Sequence, residues 1–252
     1  MIAGQATKLA RTMHDVRYDA IHDELWVPNP FADAVLAFRG GANGEEAPIR
    51  IIQGPQTQLA GPTRLDLDLV NDEVWVSAPR YVAAYPRTAK GNVAPLRVIR
   101  HPDIPSGDGN VAVDAIHNVV VVGHRGRNTE TAPTGGILIF NRTDNGNVQP
   151  ARWIKGPDVD IVRITQITTY PPKGWILATQ PGRSDVMEPE NVYIGIWHVN
   201  DDGNVAPRWK LTGANTQFKK PRGVALIPKH KEIIIGDMRT NSVYTYYFPE
   251  LF

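Results

Sequence analysis

The sequence predicts an all-β fold, a five-bladed β-propeller of four-stranded antiparallel blades. Three observations point there. A marker, Gly91-Asn92-Val93-Ala94-Pro95, recurs as Gly146-Asn147-Val148-Gln149-Pro150 and Gly203-Asn204-Val205-Ala206-Pro207, with a degenerate copy at Gly44-Glu45-Glu46-Ala47-Pro48. Successive markers stand 47, 55 and 57 residues apart, near the period at which repeats are stacked supersecondary units. Short runs of alternating, β-branched and aromatic residues surround each marker, so each unit is a small sheet. Finally, residues 1–9 align with residues 51–59. The N-terminus is therefore expected to complete the last blade and close the ring, which removes two exposed sheet edges.

Blade two reads most plainly. Arg64-Leu65-Asp66-Leu67-Asp68 is its inner strand A, and Asn71-Asp72 a tight turn. Glu73-Val74-Trp75-Val76 is strand B, Tyr81-Val82-Ala83-Ala84-Tyr85 strand C, and Leu96-Arg97-Val98-Ile99 the outer strand D. The marker lies between C and D. Its Gly supplies a turn conformation, and its Pro sits where an edge strand tolerates a missing donor. Blade one repeats this at 16–19, 24–27, 34–38 and 49–52, and blade three at 111–114, 119–122, 136–140 and 151–154. Blade four has a weak strand A at 166–169, then 175–178, 192–199 and 208–211. Blade five offers 224–226, 232–235 and 242–247, with no fourth strand before residue 252. One domain over residues 1–252 follows, with blades at roughly 12–59, 60–106, 107–158, 159–215, and 216–252 plus 1–9.

Lys and Arg total 27 against 26 Asp and Glu, a net charge of +1, so nothing favours nucleic acid or an anionic membrane as partner. Without cysteine there is no disulfide, zinc–thiolate site or thiol nucleophile. No segment reads as a signal peptide or membrane span. A soluble monomer is expected. The sequence does not set its location, and a processed exported form is compatible with it.

Strand A ending in Asp, a tight turn, then Glu-hydrophobic-Trp-Val resembles NHL-type propellers. The resemblance extends to bacterial propellers carrying Gly-Asn-x-x-Pro-x-Arg-x-Ile-x-Gly in each blade. Arg50, Arg97 and Arg152 fit that pattern, with Gly54 and Gly156 after the first and third. It departs at His101, near the Gly position of blade two, and at Arg208, displaced by one in blade four. The resemblance covers nearly the whole chain. It implies a fold shared by lactonase-like enzymes, lyases and binding scaffolds, and carries no chemistry by itself.

In such a fold the B-to-C and D-to-A loops share one face. The B-to-C loops hold Arg80, Arg125, Arg127, Arg183 and Arg239; Arg11, Arg64, Arg163, Lys219, Lys220 and Arg222 join them from the D-to-A side. Asp23, Glu24, Glu45, Glu46, Asp72, Asp144, Asp201, Asp202 and Glu250 fall on the other face. Convergent guanidiniums suit carboxylate or phosphate, because the planar fork binds two oxygens at once. Arg64, Arg80, Arg125, Arg127, Arg183 and Arg239 are therefore the candidate ligand contacts, for an anionic small molecule or acidic peptide at the channel mouth. The plainer alternative has these arginines solvated or paired with Asp158, Asp160 and Asp185.

A second set comes from the strand ends. Asp15, Asn29, Asn110, His124 and Asp237 are the residue types that hold a divalent cation such as Ca, which the resemblance to lactonase-like propellers places in this region. A bound water would then be the nucleophile of a hydrolase or lyase. Without metal, His124 beside Asp237 is a candidate general base held by a carboxylate. The competing reading is that Asn and Asp at strand ends satisfy loop amides. A third function class, an interaction scaffold, uses the same face.

His22, His117 and His230, with Asn71 in blade two, share one slot in the A-to-B turn and read as turn chemistry. The six tryptophans, Trp26, Trp75, Trp153, Trp175, Trp197 and Trp209, read as core. Asn141-Arg142-Thr143 fits a glycosylation acceptor, a pattern that often arises by chance. The loops at 127–134 and 182–191 are longer than their counterparts, and extra loop length on one face of a repeat protein is where recognition concentrates.

Overall fold

The computed structural model describes residues 1–107, 109–124, 126 and 133–252. Five antiparallel sheets follow one another along the chain as the blades of a β-propeller. Blade one is β1 (Arg17–Asp19), β2 (Glu24–Asn29), β3 (Ala34–Arg39) and β4 (Arg50–Gln53). Blade two is β5 (Arg64–Asp68), β6 (Glu73–Ala78), β7 (Tyr81–Pro86) and β8 (Arg97–Arg100). Blade three takes β9 (Asn110–Asp114), β10 (Val119–His124) and β11 (Gly136–Asn141). The short β12 (Gly146–Asn147) then pairs in parallel with β8 as a fifth strand of blade two, before β13 (Arg152–Lys155) completes blade three. Blade four is β14 (Gln166–Tyr170), β15 (Trp175–Gln180), β16 (Tyr193–His198) and β17 (Trp209–Leu211). Blade five has three strands, β18 (Pro221–Ile227), β19 (Glu232–Asp237) and β20 (Ser242–Tyr247).

The chain divides into two compact units, Met1–Val111 with Thr143–Val148, and Ala112–Arg142 with Gln149–Phe252. In the first, the faces of blades one and two bury Trp26, Val35, Ile52, Leu65, Val76 and Tyr85. In the second, Val121, Ile139, Ile154, Ile176 and Trp197 form one cluster, and Leu177, Ile194, Ile196, Ile233 and Ile235 another. β10 and β11 are apolar without alternation and buried along all but their last residue, the pattern of fully buried strands. Trp26, Trp75 and Trp197 are fully buried, while Trp153, Trp175 and Trp209 are half-buried.

The marker repeat is a joint between blades. Gly91 sits at φ 78°, and its amide donates to the Ile51 carbonyl at 2.7 Å while Gln53 donates back to its carbonyl at 3.1 Å. Asn92 Oδ1 accepts the Gln56 amide at 2.7 Å. That oxygen lies 2.5 Å from where a Cβ on Gly54 would stand, and Gly54 has φ 129°, so only glycine fits. Gly203 and Asn204 make the same joint to Trp153, Lys155 and Asp158. The recurring Glu, Trp and Arg are one stack: Arg50 pairs with Glu24 over Trp26, and Arg97 with Glu73 over Trp75. In blade four, Trp175 and Trp209 stand at the Glu and Arg positions and meet edge to face at 5.1 Å.

In the A-to-B turns His22 and His117 pair with the Asp that closes strand A, whereas His230 ends a 3-10 turn. Asp19 accepts the Ile21 and His22 amides and meets His22 Nδ1 at 2.7 Å. Asp68 does the same with Asn71, and Asp114 with His117. Blades four and five replace that Asp with 3-10 turns opened by proline, Pro171–Lys173 and Pro228–His230.

The sheet of blade five comprises β18, β19 and β20, and residues 1–9 belong to the first unit. Ile2 makes an isolated parallel bridge to Gly44, matching Ile52 with Gly91, and Gln5–Thr7 repeats the 3-10 turn of Pro55–Thr57. Ile2 and Leu9 pack against the blade-one cluster of Val27, Leu36 and Phe38. The alignment of 1–9 with 51–59 thus holds for local conformation, which is set by the same Gly and Thr. No helix among the described residues is long and apolar enough to cross a membrane.

Candidate functional site

The second unit gathers cations around the start of β18. Lys220 is 4% exposed and Arg163 equally buried in class, while Arg222 is half-buried. Their placement follows from strand-end anchors. Asp237, closing β19, accepts the Lys219 and Lys220 amides at 2.8 and 2.6 Å through one oxygen. Its other oxygen takes the Arg239 and Thr240 amides and the Thr240 hydroxyl. Burial alone would raise the Asp237 carboxyl, but these donors hold it below the usual carboxylate range. Gln180, closing β15, holds the preceding connection the same way: Oε1 accepts the Val162 and Arg163 amides, and Nε2 donates to the Asp160 carbonyl. In the first unit Asn29 donates to the Lys8 carbonyl at 2.8 Å.

The 182–191 loop leans over this cluster. Lys220 Nζ donates to the Val186 carbonyl at 2.6 Å. Desolvation lowers the Lys220 pKa, and Arg222, Arg163 and Arg239 lower it further, against a smaller opposing effect of Asp185. Arg183 makes two hydrogen bonds to Asp185, at 3.0 and 2.6 Å, the pairing foreseen as the plainer alternative. Arg239 meets Glu188 at 3.2 Å, and Lys219 lies 3.9 Å from the same carboxylate. The loop bounds two cavities, of about 390 and 350 Å³, sharing residues 188–190 as a common wall.

The other expected residues distribute as follows. In the first unit, Arg64 donates to the Thr63 carbonyl at 3.1 Å, and Arg80 is exposed at φ 69° with its amide on the Pro105 carbonyl. Asp15 accepts the Val16 and Leu65 amides and lies 3.5 Å from Arg17, and Asn110 is buried. His124, in the second unit, packs edge-on to Trp153, and none of the five hydrogen bonds to Asp237 comes from it. Arg125 and Arg127 lie outside the described residues. Among the described residues, no group of three or more His, Asp or Glu is placed to hold a metal ion.

Four of the carboxylates expected on the other face meet arginine. Arg87, buried, reaches Asp72 and Glu24, and also Asp19; Arg39 pairs with Glu46, and Arg208 with Asp201.

No family model and no curated protein matches the chain. Among solved structures it is similar to a chain of hydrazine synthase from Kuenenia stuttgartiensis, with a TM-score of 0.63 and 15% identity. The match covers 91% of this chain and 63% of that one, so this chain spans less than two thirds of its length. At that identity the likeness is one of fold, a β-propeller.

Proposed function

We propose that the chain binds a small oxyanion-bearing ligand, or the carboxylates of an acidic peptide, at Lys220. One observation carries this reading: a lysine 4% exposed whose ammonium is hydrogen-bonded to the Val186 carbonyl, with Arg222, Arg163, Asp185 and Arg239 as its electrostatic neighbours. An ammonium offers three donors, and a charged group held out of water is stabilised by an oxyanion within hydrogen-bond reach. Arg183 and Arg239 stand at the loop beside this lysine, held by Asp185 and Glu188, and are available as outer contacts. The repeat signature, used here as a joint and as an Arg–Glu–Trp stack, supports kinship with NHL-type propellers.

Calorimetric titration with inorganic phosphate and with citrate tests the reading. Lys220→Met should weaken binding at least tenfold while leaving the ligand-free melting temperature unchanged or higher. Binding should fade as salt rises. Unchanged affinity in Lys220→Met would reject the site. Elemental analysis of the same protein tests the metal-assisted hydrolase reading: a stoichiometric divalent ion bound by Asp15, Asn29, Asn110, His124 or Asp237 would favour it over the binder.

A further inference from the structure

We infer that the outer edge of β17, with the 3-10 turn Ala214–Thr216 that follows it, receives an extended Asn-Gly-Asn segment of a partner protein. The segment lies there as the chain's own markers lie on other blades, and the inference is independent of the reading at Lys220. Those joints show what such an edge recognises. The marker glycine gives its amide to one strand D carbonyl and accepts the amide two residues on. Gly203 does so with Trp153 and Lys155 at 3.0 Å each, and Gly44 with Met1 and Ala3 at 2.8 and 2.9 Å. The residue before the glycine caps a further strand amide: Asn145 accepts from Val98 at 2.9 Å, and Asp202 from Trp153 at 2.8 Å. The asparagine after it, Asn92 or Asn204, caps the following 3-10 turn.

Gly213 opens its turn at φ 98°, as Gly54 and Gly156 open theirs. Counting from it, the matching groups in blade four are the Lys210 amide and carbonyl and the Thr212 and Asn215 amides. No described residue makes the corresponding bonds to them. Three further differences agree. A Cβ on Gly54 or Gly156 would run into the marker asparagine, Asn92 or Asn204, whereas one on Gly213 would meet nothing within 4 Å. Leu211 is half-buried, while Ile52 and Ile154 at the same place are fully buried. A cavity of about 350 Å³ opens at this point, walled by Thr212, Gly213, Ala214, Val192 and Phe218.

The chain's four markers sit in joints of their own, at Ile2, Ile52, β8 and Ile154. Phe252, which follows β20, meets Tyr170 of β14 instead. The occupant is therefore another protein. Main-chain bonds along a sheet edge supply the affinity in this mode of recognition, and side-chain contacts the specificity. Its glycine is required, because the marker glycines Gly91, Gly146 and Gly203 stand at φ 78°, 86° and 72°. Glu188 and Glu190 on the cavity wall favour a segment that is neutral or basic there rather than acidic.

The probe is a synthetic peptide copying residues 142–150, titrated into the full chain while the amide resonances of Thr212, Gly213 and Asn215 are followed by NMR. These should shift and saturate at millimolar peptide, since an isolated segment lacks the effective concentration that the chain's own joints enjoy. Asn147→Ala in the peptide should weaken binding roughly fivefold, the worth of one hydrogen bond, and Gly146→Ala should weaken it too. In the protein, Thr212→Pro removes the donor that meets the glycine carbonyl and should abolish the shifts; an edge position tolerates proline. If that variant does not fold, the two peptide variants decide the matter. No saturable shift, or equal binding of the parent and Asn147→Ala peptides, overturns the proposal. Shifts of the same amides on concentrating the protein without peptide would put a second copy of this chain on the edge, and the partner assignment would fall.

Discussion

Asp237 accepts four main-chain amides and one hydroxyl, and replacing it with Asn would turn one acceptor into a donor facing the Lys219 and Lys220 amides. Hydrogen bonds to a charged group are worth more than neutral ones, so Asp237→Asn should cost about 3 kcal/mol. The pH dependence carries a sign. The folded carboxyl titrates below its ordinary value, so its contribution is complete above an unfolded pKa of about 3.9 and disappears as pH falls through the folded value. Melting temperatures of the two proteins should differ widely at pH 6 and converge below about pH 4; a gap that stays constant would reject this account. Sequence alignment singles out Asp237 by its place at the end of a strand, and its role as a loop anchor is one that residue type and position foretell. Lys220 is harder to read. On the sequence it is one face cation among many, because its burial depends on a loop more than thirty residues away folding over it, and no local pattern encodes that contact.

At the scale of the element, the marker repeat has a physical meaning that its sequence does not disclose. The Gly-Asn pair predicts a turn, which it makes, but the Asn serves the neighbouring blade by capping its 3-10 turn. Gly54→Ala would place a methyl group against Asn92 in a backbone region that alanine avoids, and should cost on the order of 2 kcal/mol. Asn92→Ala should cost about 1 kcal/mol, through the stranded Gln56 amide. Chemical denaturation of both single variants and the double tests whether they act on one joint. With the Asn92 amide gone, the contacts of its Oδ1 and Cγ at 2.5 and 2.7 Å are removed while the Cβ contact at 2.8 Å stays, so the clash is partly relieved and the double variant should lose less than the two singles together. Strict additivity would separate the residues. Strand positions and the A-to-B turns are legible because period-two alternation and Asp at a turn are local. The Trp175–Trp209 pair of blade four was not, since it appears only once the strands are in register and two tryptophans occupy the sites of an ion pair elsewhere.

For the molecule as a whole, the number of blades and their order were readable from repetition, whereas the parallel pairing of β12 with β8 was not. Conformation at residues 1–9 follows from local chemistry shared with 51–59, but strand pairing depends on where the chain travels, which alignment does not report. The feature with the widest reach is β20, where Val243 and Tyr247 are 72% and 70% exposed. Removing residues 1–9 should cost stability through Ile2 and Leu9 leaving blade one. An exposed strand with a β-branched and an aromatic side chain is a seam at which chains adhere. In concentrated solution, copies of this polypeptide should adhere through that seam, so that sedimentation reveals growing species as concentration rises. Val243→Lys puts a charge on the seam and should keep the protein dispersed at unchanged melting temperature. If the substitution leaves association as it was, molecules are meeting elsewhere on their surface. The exposed side chains of a single strand would then set how crowded this protein can be before it begins to polymerise.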